Sequence, residues 1–472
     1  MYPRIQGKIQ ILVFPTIVFI GRQPHKVRTV FFLSFHCSKT KGELEMKKVL
    51  SILLAAVMVI SLAACGGSAP AEEAAAEAVV EEAAEEAVAE TTPAKDTEVV
   101  VSEDAMDPSE LTFGFIFLHD ENSTYDRNFM EAAKAACENK GVNYLEKVGI
   151  PETNECYEAA ADLVDRGADI VFADSFGHES FILQAAQEFP EVQFAHATGT
   201  MAHTENLPNF HNAFADIYQG RYLAGVAAGM KLKELVDAGA EPKVGYVGAF
   251  TYAEVISGYT SWFLGVRSIV PEATMEVQFT GSWYDEALEK EAAQTLINNG
   301  AVLLSQHADS MGAPTACEEA GIPDVSYNGS TIDACPNTFI VSSRIDWTPY
   351  FEYLIDCVLN GQDIPADWCG SIETGSVVLT EINENVAAEG TVEKVEEVKA
   401  GILDGSIKVF DCANMTVEGK PLDSYMADVD TDPNYEKDTE AVSDGYFHES
   451  EYRSAPYFDV MIDGITTLNA MF

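Results

Sequence analysis

The chain has little positive charge: 28 Lys and Arg stand against 76 Asp and Glu, a formal net charge of -48 over 472 residues. That deficit excludes nucleic acid as a partner, because phosphates demand a basic footprint. It equally excludes adhesion to anionic lipid through protein charge, and it suits a secreted protein that stays dispersed. There is no C-x-x-C pair and no histidine-rich run at ligand spacing, which argues against a zinc centre. A Gly-x-Ser-x-Gly elbow and an Asp-rich metal motif after a strand are both missing, and with them the usual hydrolytic machinery. The apolar runs Ile9 to Ile20 and Val49 to Leu62 both fall short of the ~20 residues needed to cross a bilayer.

The second run carries a targeting signal. Met46-Lys47-Lys48 precedes it, and Leu62-Ala63-Ala64-Cys65 closes it, followed by Gly66-Gly67. A charged start, an apolar middle and small residues before a cut site form a secretory signal peptide. A cysteine directly after the small pair makes residues 46–64 a lipoprotein signal, with Cys65 lipidated as the new N-terminus. The competing readings are an ordinary signal peptide and a single membrane helix. The lipoprotein reading tethers the chain to the extracytoplasmic face of the cell membrane. Residues 1–45 carry Arg4, Lys8, Arg22, Lys26, Arg28, Lys39 and Lys41, against Glu43 and Glu45. They read as an over-extension upstream of a true start at Met46; the alternative is a membrane segment from Ile9 to Ile20. From Ser68 to Val101 the composition collapses to Ala, Glu, Val and Thr. Such a stretch cannot bury enough surface to fold alone, so residues 65–108 read as the lipidated cysteine and an acidic spacer.

Residues 109–472 are long for one core and imply two domains. Seven cysteines remain there: Cys137, Cys156, Cys317, Cys335, Cys357, Cys369 and Cys412. The odd number leaves at least one thiol without an intramolecular partner; Cys317–Cys335 and Cys357–Cys369 are candidate pairs in an oxidising compartment. Strand-like runs such as Leu111 to Leu118, Val142 to Val148 and Asp169 to Asp174 alternate with helix-like ones. The rhythm restarts after the long segment Ile217 to Leu235, whose small residues suit close packing, with the other lobe as one candidate partner. Repeated strand–helix alternation predicts α/β lobes with parallel sheets covered on both faces. The first lobe is expected at about 109–215 and the second at about 240–345, with later segments crossing back. The tail beyond Asp404 is acidic and turn-rich, then apolar from Tyr457, and reads as completing a lobe edge.

In open α/β sheets ligands sit at the carboxyl ends of strands, and polar residues gather there in this chain. His119-Asp-Glu-Asn-Ser-Thr-Tyr-Asp126 follows the first strand and Asp174-Ser-Phe-Gly-His178 the third. Ala249-Phe-Thr251, Gly281-Ser-Trp-Tyr284, Gln306-His-Ala-Asp-Ser310 and Asn328-Gly-Ser330 follow strands of the second block. Carboxylates, amides and hydroxyls mixed with aromatics suit a small polar ligand bearing a ring. Each residue also has a plainer reading. Tyr125 is a stacking ring or a surface ring in a first helical turn. Asp120 and Asp126 are ligand groups or helix caps. Ser175, Phe176 and Gly177 form a close backbone approach or a tight turn. His196 and His307 are more often structural than catalytic.

Ser175-Phe-Gly-His, Glu188-Phe-Pro-Glu-Val-Gln-Phe-Ala-His-Ala-Thr-Gly199, Gly220-Arg-Tyr-Leu-Ala-Gly-Val-Ala-Ala-Gly229, Val244-Gly-Tyr-Val-Gly-Ala-Phe250, Glu254-Val-Ile and Gln306-His-Ala-Asp-Ser310 resemble the basic membrane protein (BMP, PnrA-like) family. The likeness runs from about Leu111 to Phe410. The family comprises lipoprotein substrate-binding components of ABC importers. It implies a type I periplasmic-binding-protein fold: two Rossmann-like lobes with parallel sheets, joined by a hinge of three crossovers. It implies purine nucleosides or nucleobases as ligands, ABC permease subunits as partners, no cofactor and no catalysis. By that resemblance Thr124-Tyr125-Asp126 supplies one stacking ring, and the second comes from Phe250 ahead of Trp283 and Trp262. The expected ligand set is His119, Asp120, Tyr125, Asp126, Ser175, Phe176, Gly177, Phe250, Trp283, Gln306, His307, Asp309 and Asn328. Rival readings are the same receptor role for riboflavin, a sugar or another small molecule, an extracellular nucleoside-processing enzyme, and a ligand-sensing partner of a membrane kinase.

Overall fold

The structure is a computed structural model that describes residues 92–95, 97–429 and 436–472. The expected start at Met46, the signal and the anchor at Cys65 lie outside the described residues.

The first lobe is a six-stranded parallel sheet built from β1 (Thr112–Phe117), β2 (Asn143–Val148), β3 (Ile170–Ala173), β4 (Gln193–Ala197), β5 (Phe210–Ala215) and β11 (Asp367–Gly370). Its order is β2-β1-β3-β4-β5-β11. The second lobe holds β6 (Lys243–Gly248), β7 (Thr274–Phe279), β8 (Leu304–His307), β9 (Asp324–Tyr327), β10 (Phe339–Ile345), β12 (Val377–Leu379) and β13 (Ile465–Thr467), in the order β12-β10-β9-β8-β6-β7-β13. All of its pairs are parallel except β10 with β12. Each lobe therefore repeats one topology, in which the first strand (β1 or β6) sits between the second and third. The chain reverses direction across the sheet at that point, leaving a crevice at the carboxyl ends.

The strands form where both faces can be buried. Phe113, Phe115 and Phe117 in β1 are fully buried, and Phe115 lies edge-on to Phe351 with centroids 5.2 Å apart. The helices follow local rules. In α1 (Thr124–Lys140) the Ser123 side chain accepts from Asp126 N, and Gly141 ends the helix at φ 72°, a left-handed conformation that glycine adopts without penalty. The small-residue face of α2 (Ile217–Asp237) packs within the second lobe, against α3 (Ala253–Ile269), rather than against the other lobe. A Cβ on Gly225 would strike the Trp262 carbonyl.

Three crossovers lie side by side. Asp216 N donates to Gly370 O at 2.8 Å and Asp346 N to Ser376 O at 2.7 Å, so residues at 216, 346 and 370–376 form one hinge. The tail supplies β13 to the edge of the second sheet, beside β7. It also reaches the first lobe, where Ser454 N donates to Asp367 Oδ2 at 2.7 Å. At the other end, Ala94 pairs with Trp368 and Met106 N donates to Leu359 O at 2.8 Å. The end of the acidic segment thus lies along the first lobe.

The seven cysteines are free thiols, so neither candidate disulfide forms. Cys369 instead donates to Asp216 Oδ1 at 3.3 Å, and Cys357 is buried in the first-lobe core. Burial pushes the Cys335 thiol up to about 12 and the Cys357 thiol to about 11, which makes them inert as nucleophiles.

Candidate functional site

The ends of β1, β3 and β4 in one lobe and the loops after β6, β7 and β8 in the other enclose a cavity. Leu118, His119, Tyr125, Asp126, Ser175, Phe176 and Thr198 line it from the first lobe, and Glu254, Trp283, His307 and Asp309 from the second. Its free volume is about 20 Å³, space for a single water. The lobes are closed on each other. Thr124 N donates to Asp309 O at 2.9 Å, and Asn128 Nδ2 to Ile345 O at 2.5 Å. The rings of His119 and Tyr284 meet at 5.4 Å and those of Phe176 and Tyr252 at 5.6 Å. A heterocycle enters only when this cleft opens.

The polar wall is tuned by burial. Asp126 Oδ1 accepts from His119 N at 2.7 Å and Oδ2 from Ser123 Oγ at 2.6 Å. Burial works against its charge, but the bonds from His119 and Ser123 prevail and hold its pKa below the usual value. Asp174 behind it accepts from Leu118 N at 3.1 Å. Burial first, and the Asp126 charge second, push Asp174 well up, opposite to the shift of Asp126. Burial, then Asp126 and Glu289, likewise push Asp309 well up. The buried His307 ring is brought down to about 4 by burial and by the Arg221 cation, against the pull of Glu254. Its Nε2 lies 3.3 Å from Glu254 Oε1, a hydrogen bond to a neutral ring rather than an ion pair. Arg221 sits behind, its guanidinium 3.2 Å from the Tyr327 ring centroid, donating to Gln306 O at 3.0 Å.

The cavity gathers His119, Tyr125, Asp126, Ser175, Phe176, Trp283, His307 and Asp309 of the expected set. The Tyr125 hydroxyl donates to Asp174 O at 2.7 Å, which fixes its ring on the first-lobe wall. The other expected residues do not line the cavity. Asp120 is exposed and folds onto Asn122, accepting from its N at 3.0 Å and its Nδ2 at 2.9 Å. Gly177 N donates to Glu152 Oε1 at 2.8 Å. Phe250 stands behind Trp283, edge to face at 5.0 Å, and so supports the ring that faces the cavity. Trp262 is fully buried in the second-lobe core. The Gln306 amide is spent on Ala308 O at 2.6 Å. Asn328 is buried in a left-handed turn at φ 65° after β9, its N donating to Ser343 O at 3.0 Å. His196 Nε2 donates to Ser175 O, 2.6 Å away, in the structural role that histidines often take.

Sequence reasoning missed Glu254, Thr198 and Leu118 as lining residues. The signal for Glu254 was present: it occupies the first turn of the helix after β6, as Asp126 does after β1. The two acids are topological counterparts in the repeated lobes. Thr198 lies in the His196–Gly199 loop at the carboxyl end of β4, a polar strand end like the others, and is a buried β-branched residue at φ 61°.

The fold and the crevice define a two-lobed periplasmic binding protein. The family described as ABC transporter substrate-binding protein, PnrA-like, matches residues 117–411, and the chain belongs to that family. It is an extracytoplasmic substrate-binding receptor family. A purine-binding protein of Brucella abortus is 28% identical over 67% of this chain and 89% of its own length. A Haloferax volcanii protein named as the glucose-binding protein of an ABC transporter is 30% identical over 59% of this chain and 66% of its own. A solved solute-binding protein from Conexibacter woesei superposes with a TM-score of 0.51 at 24% identity, over 63% of this chain and 98% of that one, which speaks to the fold.

Proposed function

We propose that this receptor is anchored through Cys65, captures purine nucleosides or nucleobases between its lobes, and delivers them unchanged to the permease of an ABC importer. The observation that carries the reading is the meeting of Tyr125 and Trp283, from opposite lobes, on one cavity edged by Asp126, Glu254, His307 and Asp309. Two rings offer a flat heterocycle a stacking face on either side, each contact giving about 0.5–1.5 kcal/mol beyond burial. Asp126, held toward its charged form, favours accepting hydrogen bonds, and Asp309, pushed toward its neutral form, favours donating one. A purine presents both kinds of partner along its edges. The purine-binding name of the Brucella relative and the nucleoside-binding name of a Lactococcus lactis relative, 24% identical over 41% of this chain, support the ligand class. The glucose-binding name of the Haloferax relative supports a second reading, the same receptor with a sugar cargo. Native mass spectrometry of the protein purified from its own host tests the choice. A retained purine or nucleoside supports the first reading, and a retained hexose the second. Incubation with inosine is expected to release no free base; release would make the protein an enzyme.

A further inference from the structure

The family match ends at residue 411, and the segment beyond it holds a group of side chains that ligand capture does not use. Val442–Ser443 pairs antiparallel with Tyr446–Phe447 across the Asp444-Gly445 turn. Both turn residues sit at positive φ, 50° and 84°, as the Asp-Gly pair favours in a two-residue hairpin. Ser443 and Tyr446 stand opposite each other in the register, so their side chains share one face. Ser443 is exposed and His448 is buried. Ser443 Oγ lies 2.6 Å from His448 Nε2, and His448 Nδ1 lies 2.7 Å from Glu451 Oε2. A carboxylate only accepts, so in the neutral ring Nδ1 carries the proton. Nε2 is then the acceptor, and the Ser443 hydroxyl donates to it. The imidazole is held by its neighbours. Its centroid lies 3.9 Å from that of Tyr446 and 5.8 Å from that of Tyr452. The Tyr446 hydroxyl in turn donates to Glu451 Oε1 at 3.4 Å.

We propose that Ser443, His448 and Glu451 form a hydrolytic triad, separate from the crevice, that cleaves small carboxylic esters with an apolar acyl group. A serine bonded to a base, itself bonded to an orienting carboxylate, is the arrangement that activates a hydroxyl for attack. It is recognised by geometry and roles rather than by sequence position, so the missing Gly-x-Ser-x-Gly elbow does not count against it. Asp444 N and Gly445 N follow the nucleophile directly. Both residues are exposed, and neither N–H has an acceptor among the described residues, which leaves two donors for a developing oxyanion. A cavity of about 330 Å³ adjoins the triad through Tyr446 and Glu451, with Phe410, Phe447 and Tyr452 on its wall. That aromatic surface suits an apolar acyl group. In the reaction Ser443 Oγ attacks the ester carbonyl carbon, and its proton passes to His448 Nε2. The bond to the alcohol oxygen breaks, and His448 returns the proton to the departing alcohol. Water, deprotonated by His448, then attacks the acyl-serine, which releases the carboxylic acid and restores Ser443. Inosine has no acyl group, so its expected survival is unaffected.

Two measurements on the full chain test this: hydrolysis of p-nitrophenyl butyrate, and labelling with diisopropyl fluorophosphate followed by peptide mass spectrometry. The proteins compared are the wild type, Ser443→Ala, His448→Gln and Glu451→Gln. The wild type should turn over the ester and carry the phosphoryl label on Ser443. Ser443→Ala should lose both, and because that side chain is exposed the variant is expected to fold as the wild type does. His448→Gln keeps the serine but should lose at least ~100-fold in kcat, the scale of a removed general base. Glu451 acts only by positioning the ring, so Glu451→Gln should lower kcat with KM unchanged. A wild type left unlabelled at Ser443, or hydrolysis that survives Ser443→Ala, would overturn the triad and leave the reading of the crevice untouched.

Discussion

Lys95 Nζ lies 3.0 Å from Asp216 Oδ2, with the carboxylate nearly fully buried and the lysine partly exposed. The contact joins the end of the acidic segment to the first crossover of the hinge. Burial pushes Asp216 up, and Lys95 partly restores it. Replacing Lys95 with alanine strands a buried carboxyl beside the moving crossovers. Urea unfolding at pH 7 is expected to show a loss of about 1–3 kcal/mol, the cost of an unsatisfied buried group. Lys95→Ala combined with Asp216→Asn should recover most of it, because an amide needs no cation.

The free space of about 20 Å³ requires the lobes to part before any ring enters. Spin labels at Glu121→Cys and Glu286→Cys, exposed on opposite lobes, read that motion. Among the described residues the native cysteines interfere little, six being buried and Cys412 half-buried with its thiol pushed up. Without ligand the distance distribution should contain an open population, and saturating ligand should collapse it to the short distance. A single short distance under both conditions would contradict the capture cycle.

Glu289 is fully buried and accepts from Ser310 N at 3.2 Å and Asp285 N at 3.1 Å. Burial outweighs these bonds and raises it from 4.5 to about 7. The folded state therefore holds a proton that the unfolded chain releases between these values. This contribution to stability is complete below pH ~4.5, falls as pH rises, and is gone above pH ~7. Glu289→Gln cannot titrate. Relative to the wild type, its unfolding free energy should rise between pH 4.5 and pH 8 by on the order of 3 kcal/mol. Parallel pH profiles for the two proteins would show that Glu289 is ionised throughout.

Much of the architecture was legible because both lobes follow strong periodic rules. Buried strands such as Ile170–Ala173 are unbroken apolar runs, and helix ends carry their own marks at Ser123 and Gly141. Strand β5, Phe210–Ala215, escaped notice because His211 and Asn212 interrupt its apolar pattern. Both are buried and satisfied by tertiary bonds: the His211 ring lies 3.0 Å from Pro365 O, and Asn212 accepts from Ala202 N at 2.7 Å. At the site, strand-end loops pointed to the right regions but not to side-chain direction. In sequence Phe250 ranks ahead of Trp283 as the second ring, and only packing puts Trp283 in front. Asp120 and Asp126 are likewise alike on paper. One turns back on Asn122, and the other is drawn inward by His119 and Ser123.

Ring capture by Trp283 is tested most directly by titrating the wild type and Trp283→Ala with purine bases and nucleosides in a calorimeter. Saturable binding to the wild type is predicted, weakened in the variant by about 2 kcal/mol, or ~30-fold, as for the loss of a central aromatic anchor. Absence of heat with every purine at millimolar concentration, or equal affinity in the two proteins, would contradict it.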